Sequence, residues 1–94
     1  MWILQNAEMT FRMTPGAIKT VGRATGADFI VDATLVSRVH CRLTAQDDHV
    51  KVEDLASTNG IFVNDASVKK AQLKHGDRLR VGRVELTVEK HNNG

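Results

Sequence analysis

The sequence predicts an all-β fold, an antiparallel β-sandwich of about ten to eleven short strands. Short apolar or alternating segments recur roughly every eight to twelve residues, and clusters of Gly, Pro, Asn and Asp separate them, which is the spacing typical of a sandwich or barrel. No segment carries the apolar period of a long amphipathic helix. The 94 residues, 41% hydrophobic and 26% charged, fit one folded domain. We expect that domain to span residues 1–94, with a short flexible tail from about residue 91.

Four strands are predicted in the first third of the chain. Residues 2–4 form the first strand, and residues 9–13 form its hairpin partner. A Pro-Gly turn then introduces a third strand at residues 18–21, because proline and glycine favour the dihedral angles of a turn. Residues 29–31 follow a glycine-containing loop and form the fourth strand.

Residues 39–43 predict a half-buried fifth strand. Their side chains alternate, with Val39, Cys41 and Leu43 on one face and polar residues, among them His40, on the other. Cys41 is the only cysteine, so no internal disulfide can form. We expect Cys41 to be a small buried side chain of the core.

Five further strands complete the predicted sandwich, at residues 49–54, 61–63, 68–70, 78–81 and 84–88. The first of them follows an Asp-Asp turn, and we expect it to form a hairpin with the strand before it. Only Gly and Arg separate the last two strands, which predicts a tight hairpin at the end of the fold.

Charge and hydropathy exclude several classes of protein. Thirteen Lys and Arg against eleven Asp and Glu give a net charge of +2, too small and too interspersed for a nucleic-acid footprint. The alternation of Arg78, Arg80 and Arg83 fits a solvated strand face, with weak DNA binding as the alternative. No apolar stretch exceeds four residues, whereas a membrane span needs about 20, and we expect no secretory leader. We therefore expect an intracellular protein with no membrane contact.

Polar residues that do not fit the strand pattern gather in three loops, at residues 22–23, 37–40 and 57–60. Guanidinium groups, hydroxyls, an amide and glycine-containing backbone together offer many hydrogen-bond donors. Loops at one end of a sandwich lie side by side, so these three can converge on one ligand. The sequence therefore predicts a pocket for a dianionic oxyanion such as phosphate. The side chains that supply the donors are Arg23, Ser37, Arg38, Thr58 and Asn59.

The same stretches resemble, in order and in spacing, the forkhead-associated (FHA) domain, a β-sandwich that reads phosphothreonine. The resemblance covers residues from about 18 to 90. Four motifs carry it: Val-Gly-Arg at 21–23, Ser-Arg-Val-His at 37–40, Asp-Leu-Ala-Ser-Thr-Asn-Gly-Ile-Phe-Val-Asn at 54–64, and Leu-Lys-His-Gly-Asp-Arg-Leu-Arg-Val-Gly at 73–82.

The resemblance implies a role for each loop residue. Arg23 would hold the phosphate and the peptide backbone. Phosphate oxygens would be contacted by Ser37, Arg38 and Thr58, while Asn59 would bracket the peptide main chain. The residues implied to support the site without touching the phosphate are Gly22, His40, Ser57 and Gly60.

By the same resemblance, the chain is a non-catalytic recognition module whose partner is a phosphothreonine-containing protein or peptide produced by a kinase. Residues 24–26 and 35–36 vary across the family and are expected to set the sequence preference. A phosphate-independent structural or self-association module is the alternative. Catalysis by Ser37 with His40 is disfavoured because no Gly-x-Ser-x-Gly elbow occurs. The four histidines lack metal-ligand spacing, so we expect no metal and no cofactor.

A second resemblance concerns Met-Trp-Ile-Leu at residues 1–4. It is similar to the opening of nibrin-type DNA-repair proteins, whose FHA domain begins almost at the initiator methionine. The adjoining pair of BRCT repeats in that family is absent from these 94 residues. This resemblance implies a role in DNA-damage or cell-cycle signalling and a nuclear location.

Overall fold

Eleven strands form two packed sheets in the computed structural model, which describes residues 1–92. The strands are β1 (Trp2–Gln5), β2 (Thr10–Met13), β3 (Ile18–Gly22), β4 (Phe29–Ile30), β5 (Cys41–Ala45), β6 (Val50–Asp54), β7 (Ile61–Val63), β8 (Ala66–Val68), β9 (Lys70–Leu73), β10 (Arg78–Val81) and β11 (Val84–Lys90). One sheet has the order β2-β1-β11-β10-β7-β8, and the other has the order β4-β3-β5-β6-β9. The predicted β-sandwich is therefore confirmed. Over residues 1–92 there is no helix, and so none that could cross a membrane.

The core lies between the two sheets and consists of the inward-facing side chains of alternating strand residues. Trp2, Leu43, Leu79 and Leu86 are among its largest fully buried members. The indole Nε1 of Trp2 donates a 2.8 Å hydrogen bond to the carbonyl of Gln46, so the polar atom of the largest core side chain is satisfied. Buried and more exposed residues alternate along β5, β10 and β11, and strands of this kind can be predicted from the sequence.

The two ends of the described chain pair with each other. The His91 amide donates to the Met1 carbonyl at 2.8 Å, and the Met1 ammonium group donates to the His91 carbonyl at 2.9 Å. The predicted flexible tail from about residue 91 extends over residues 93–94, which lie outside the described residues. The extent of the domain stays a prediction.

The predicted strand at residues 68–70 is instead part of two strands in different sheets. β8 ends at Val68 in the six-stranded sheet, and β9 begins at Lys70 in the five-stranded sheet. Lys69 lies between them, and its carbonyl accepts a 2.8 Å hydrogen bond from the Asp54 amide. The chain changes sheet within one residue and without glycine or proline, so the sequence carries no turn signal here.

One pair of neighbouring strands in residues 1–92 departs from the antiparallel arrangement. β3 and β4 are parallel, with Val21 opposite Phe29. The Thr20 amide and hydroxyl both donate to the Asp28 carboxylate, at 2.9 and 3.2 Å. These bonds, the amide bond foremost, hold the pKa of Asp28 below its usual range. They tie the end of the loop that follows β3 back to Thr20 within that strand.

The predicted strand at residues 39–43 begins two residues later, at Cys41, and its predicted facing is wrong at two positions. Val39 is 48% exposed, whereas His40 is fully buried. The chain enters the strand only at Cys41, and the His40 ring turns inward because hydrogen bonds to Ser37 and Gly60 offset the cost of burying it. The predicted burial of Cys41 is confirmed.

Cys41 is expected to be chemically inert in the folded protein. Burial, with the Asp54 carboxylate as a smaller cause, raises the pKa of its thiol to about 12. Because the thiolate is the reactive form, we expect a thiol-specific reagent to label the native protein at least about a hundredfold more slowly than the unfolded protein. Mass spectrometry of samples with and without denaturant measures both rates, and equal rates would contradict the burial argument.

Candidate functional site

A single segment, residues 35–38, joins the three predicted loops. Its four consecutive carbonyls accept hydrogen bonds from the Asn59 side chain, the Arg23 side chain, the Arg23 amide and the Ala24 amide, in chain order. The loops therefore converge where β3 ends and where β5 and β7 begin. This is the arrangement that the sequence predicts for loops at one end of a sandwich.

Arg23 is held so that its charged end faces solvent. Its amide donates to the Ser37 carbonyl at 2.9 Å, and its Nε donates to the Val36 carbonyl at 3.1 Å. Within residues 1–92, its two Nη atoms bond to no other residue, and the side chain is exposed. The outer N–H donors of the guanidinium fork are therefore available to a ligand.

Ser37 links the second loop to the third. Its Oγ accepts a 3.0 Å hydrogen bond from the Thr58 amide, which leaves the hydroxyl hydrogen for donation. The neighbouring Asn59 donates through Nδ2 to the Leu35 carbonyl at 2.9 Å. That bond orients the Asn59 amide and leaves its oxygen and its second N–H to face a ligand.

Gly22 occupies a position that admits no side chain. A Cβ built on it would lie 2.1 Å from the carbonyl oxygen of Arg38 and 3.0 Å from the Cα of Val39. The backbone of these two residues therefore packs directly on the end of β3, which brings the Ala24 amide within 3.1 Å of the Arg38 carbonyl. The Arg38 side chain is exposed and, in the described part of the chain, forms no hydrogen bond or ion pair.

The buried side chain of His40 connects the second predicted loop, residues 37–40, to the third, residues 57–60. Its Nδ1 accepts a 3.0 Å hydrogen bond from the Ser37 amide, and its Nε2 lies 2.7 Å from the Gly60 carbonyl. An amide can only donate and a carbonyl can only accept, so a neutral ring with its proton on Nε2 satisfies both partners. The ring therefore spans the two loops whose hydroxyl groups lie at the surface.

Ser57 closes its own loop. Its hydroxyl donates to Asp54, and its Oγ accepts a 2.9 Å hydrogen bond from the Gly60 amide. Gly60 has a φ of 75°, which a glycine adopts readily and a larger residue does not. Thr58 and Asn59 are thereby presented at the exposed tip of the loop.

The side-chain groups left for a ligand are mainly donors. Two guanidinium groups, of Arg23 and Arg38, lie with the hydroxyls of Ser37 and Thr58 on the same three loops. Arg23 also lines an open depression of about 450 Å³ together with residues 32–36, which include the carboxylate of Asp32. Two arginines and several neutral donors favour a doubly charged anion such as a phosphate. No group of three His, Cys, Asp or Glu in residues 1–92 is arranged to hold a metal ion.

The predicted ligand residues are joined to this site by different bonds. Arg23 and Thr58 bond directly to Ser37, whereas the Arg38 carbonyl accepts its hydrogen bond from the Ala24 amide, which is not one of the predicted ligand residues. Three acceptors that orient these residues were not predicted from the sequence: the Leu35 carbonyl, the Val36 carbonyl and the Asp54 carboxylate. Backbone acceptors leave no signal in a sequence, because every residue supplies a carbonyl.

The arginines considered for DNA binding are mostly paired. Arg78 forms ion pairs with Asp65 at 3.3 Å and with Glu85 at 4.0 Å. Arg80 pairs with Asp65 at 3.4 Å, and its guanidinium group lies 4.4 Å from the ring centre of Phe62. Carboxylates therefore offset much of the positive charge on this sheet face, which favours the solvated-face interpretation.

Comparison with known proteins assigns the fold and its loops to one family. The profile of the FHA domain matches residues 19–82. The chain belongs to the FHA-domain family. FHA domains are non-catalytic binding modules.

Related FHA domains occur in mycobacterial proteins. FhaA of Mycobacterium tuberculosis, an FHA domain-containing protein, is 37% identical over 82 residues, which is 87% of this chain and 15% of FhaA. The glycogen accumulation regulator GarA of the same organism is 34% identical over 70 residues, 74% of this chain and 43% of GarA. The chain thus spans less than half the length of these curated relatives. A solved structure from work on phosphothreonine-dependent FHA domain interactions has a TM-score of 0.86 and 33% identity, with 98% of this chain and 96% of that chain covered.

These relatives correct two expectations drawn from residues 1–4. The predicted nuclear location is wrong, because the relatives are mycobacterial proteins and bacteria have no nucleus. The resemblance to nibrin-type DNA-repair proteins finds no support among them, and with it the expected role in DNA-damage or cell-cycle signalling loses its basis. Three of the four residues belong to β1, whose side chains pack in the core as those of an ordinary first strand do.

Proposed function

We propose that this FHA domain is a non-catalytic module that binds a phosphothreonine-containing protein or peptide. The observation that carries the proposal is the convergence of Arg23, Ser37 and Thr58 on one set of loops, with their outer donors unused by the described chain. A phosphate carries a charge of about −1.5 to −2 at neutral pH. The two guanidinium groups of Arg23 and Arg38 match that charge.

Each loop residue receives a specific task in this proposal. The outer nitrogens of Arg23, the side chain of Arg38 and the hydroxyls of Ser37 and Thr58 donate to phosphate oxygens. Asn59 uses its remaining amide groups on the peptide main chain. The residues that hold these donors in place are Gly22, His40, Ser57 and Gly60.

A hydrolytic role for Ser37 and His40 conflicts with the same hydrogen bonds. The Nδ1 of His40 accepts the amide of Ser37 and not its hydroxyl, and Nε2 is occupied by the Gly60 carbonyl. A general base must accept the proton of its nucleophile, and neither ring nitrogen is free to do so. We therefore propose that the chain is not an enzyme.

A screen of a degenerate phosphothreonine peptide library tests the proposal. The full chain is immobilised and exposed to the library and, in parallel, to the same library without phosphate. Selective retention of phosphorylated peptides supports the proposal and gives the sequence preference at the same time. Equal retention of both libraries, or retention of neither, would reject it.

The site is expected to prefer phosphothreonine over phosphoserine by about tenfold. Both residues present the same dianion, so the difference comes from one methyl group. Burying that methyl beside the Ser37 and Thr58 loops contributes about 0.8 kcal/mol, and β-branching also restricts the side chain before it binds. Calorimetric titration of two peptides that differ only at this residue measures the preference. Equal affinities would indicate a generic anion site.

The alternative is a phosphate-independent structural or self-association module. Exposed apolar side chains are the observation that supports it. Ile18 is 60% exposed on β3, and Ile30 is 44% exposed on β4. Phosphatase treatment of captured partners separates the two proposals, because partners that remain bound after dephosphorylation favour the alternative. Sedimentation of the chain alone tests self-association.

A further inference from the structure

Gly82 lies outside the three loops, in the turn between β10 and β11, yet its backbone abuts residues 35–36. A Cβ built on Gly82 would lie 2.9 Å from the carbonyl oxygen of Leu35 and 3.0 Å from Cγ2 of Val36. Gly82 also has a φ of 62°, where an L-residue is disfavoured. The turn therefore packs directly against the segment that joins the loops.

Leu35 has a backbone conformation that needs support from its surroundings. Its φ is 72°, a left-handed value that a large L-residue rarely adopts and that persists only where neighbouring structure enforces it. Its carbonyl accepts a 2.9 Å hydrogen bond from Asn59 Nδ2 and also lies against Gly82. Val36 is only 3% exposed, so the close-packed core gives the segment little room to withdraw.

The next carbonyl along the chain is the one that orients Arg23. The Val36 carbonyl accepts the bond from Arg23 Nε at 3.1 Å, and one peptide unit separates it from the Leu35 carbonyl. A displacement of Leu35 would therefore move the Val36 carbonyl, and with it the guanidinium group of Arg23. We infer that Gly82 is a positioning residue for the anion site: it holds residues 35–36 where the Val36 carbonyl meets Arg23 Nε.

Two glycine variants separate this role from an ordinary turn requirement. Gly82→Ala adds a Cβ at positive φ and a steric contact with residues 35–36. Gly76→Ala is the matched control, since Gly76 has a φ of 91° but a Cβ built there meets nothing within 4 Å. The Nε–H signal of Arg23 in the NMR spectrum of the full chain reports the orientation of the fork. We expect this signal to move and its exchange with solvent to accelerate about tenfold in Gly82→Ala only.

The effect on binding rests on the proposed function and is measured separately. Retention of the phosphothreonine peptide library should weaken about tenfold in Gly82→Ala and stay unchanged in Gly76→Ala. If wild-type protein retains no phosphorylated peptide, the proposed function fails, and the Arg23 signal alone decides the positioning role. An unchanged Arg23 signal in folded Gly82→Ala protein would overturn the inference.

A second variant keeps the inference testable if Gly82→Ala does not fold. Asn59→Ala removes the hydrogen bond that the Asn59 side chain donates to the Leu35 carbonyl. Asn59 is exposed, so we expect this variant to fold. Faster exchange of the same Arg23 proton is expected in this variant. Unchanged exchange would show that residues 35–36 do not control Arg23, and the positioning role would be rejected.

Discussion

Arg23→Ala is expected to weaken phosphothreonine-peptide binding about a hundredfold. Hydrogen bonds to charged groups contribute about 1.5 to 3 kcal/mol each, and the fork of Arg23 can place two of them on one phosphate. The loss of one strong bond or two weaker ones corresponds to a change of that size. Isothermal titration calorimetry with a peptide selected from the library measures it.

Two further variants show whether the geometry of Arg23 or only its charge is required. Arg23→Lys retains the positive charge but cannot donate through Nε and the fork together, so we expect it to recover only part of the affinity. Arg12→Ala removes an exposed arginine on β2, in the other sheet, and should leave binding unchanged. Full binding by a folded Arg23→Ala protein would reject the assignment of Arg23.

His40→Ala is expected to reduce both stability and binding. It leaves the Ser37 amide and the Gly60 carbonyl without their partner in a partly buried environment and opens a cavity in place of the buried ring. Unsatisfied polar groups and a cavity together cost about 3 to 5 kcal/mol of the free energy of unfolding, which lowers the melting temperature by about 15 °C or more for a domain of this size. The affinity for the phosphothreonine peptide, measured at temperatures below the melting transition, should also fall, because both loops lose the ring that connects them.

Two substitutions make the His40 prediction specific. His40→Asn can still accept the Ser37 amide through its side-chain oxygen, so its melting temperature should lie between those of wild type and the alanine variant. His91→Ala changes an exposed histidine and should have little effect. A melting curve of His40→Ala that coincides with wild type would show that the buried ring is not the link between the loops.

The strands could be predicted wherever inward and outward side chains alternate, as in Cys41 and Leu43. Prediction failed where the backbone departs from that alternation. Val39 and His40 fit the same pattern in the sequence, but the chain enters the strand only at Cys41, and hydrogen bonds determine that His40 is buried. At Lys69 the chain changes sheet without a residue that marks a turn.

In the candidate site, too, the side-chain donors could be predicted from the sequence, whereas the backbone acceptors could not. Residues such as Ser37 and Thr58 could be proposed from their type and spacing, because anion binding requires donors. The acceptors that orient them include the carbonyls of Leu35 and Val36, and any residue supplies a carbonyl. The close approach of Gly82 to Leu35 depends on how two sheets pack, which no local pattern in the sequence encodes.

The most direct test of the phosphate site is an NMR titration of the full chain with the selected phosphothreonine peptide and with its unphosphorylated counterpart. The proposal predicts that only the phosphorylated peptide shifts the signals of Arg23, Ser37, Arg38, Thr58 and Asn59, with the Arg23 side-chain signal among those that move. Identical shifts from both peptides, or shifts confined to other faces of the sandwich such as β6 and β9, would contradict it.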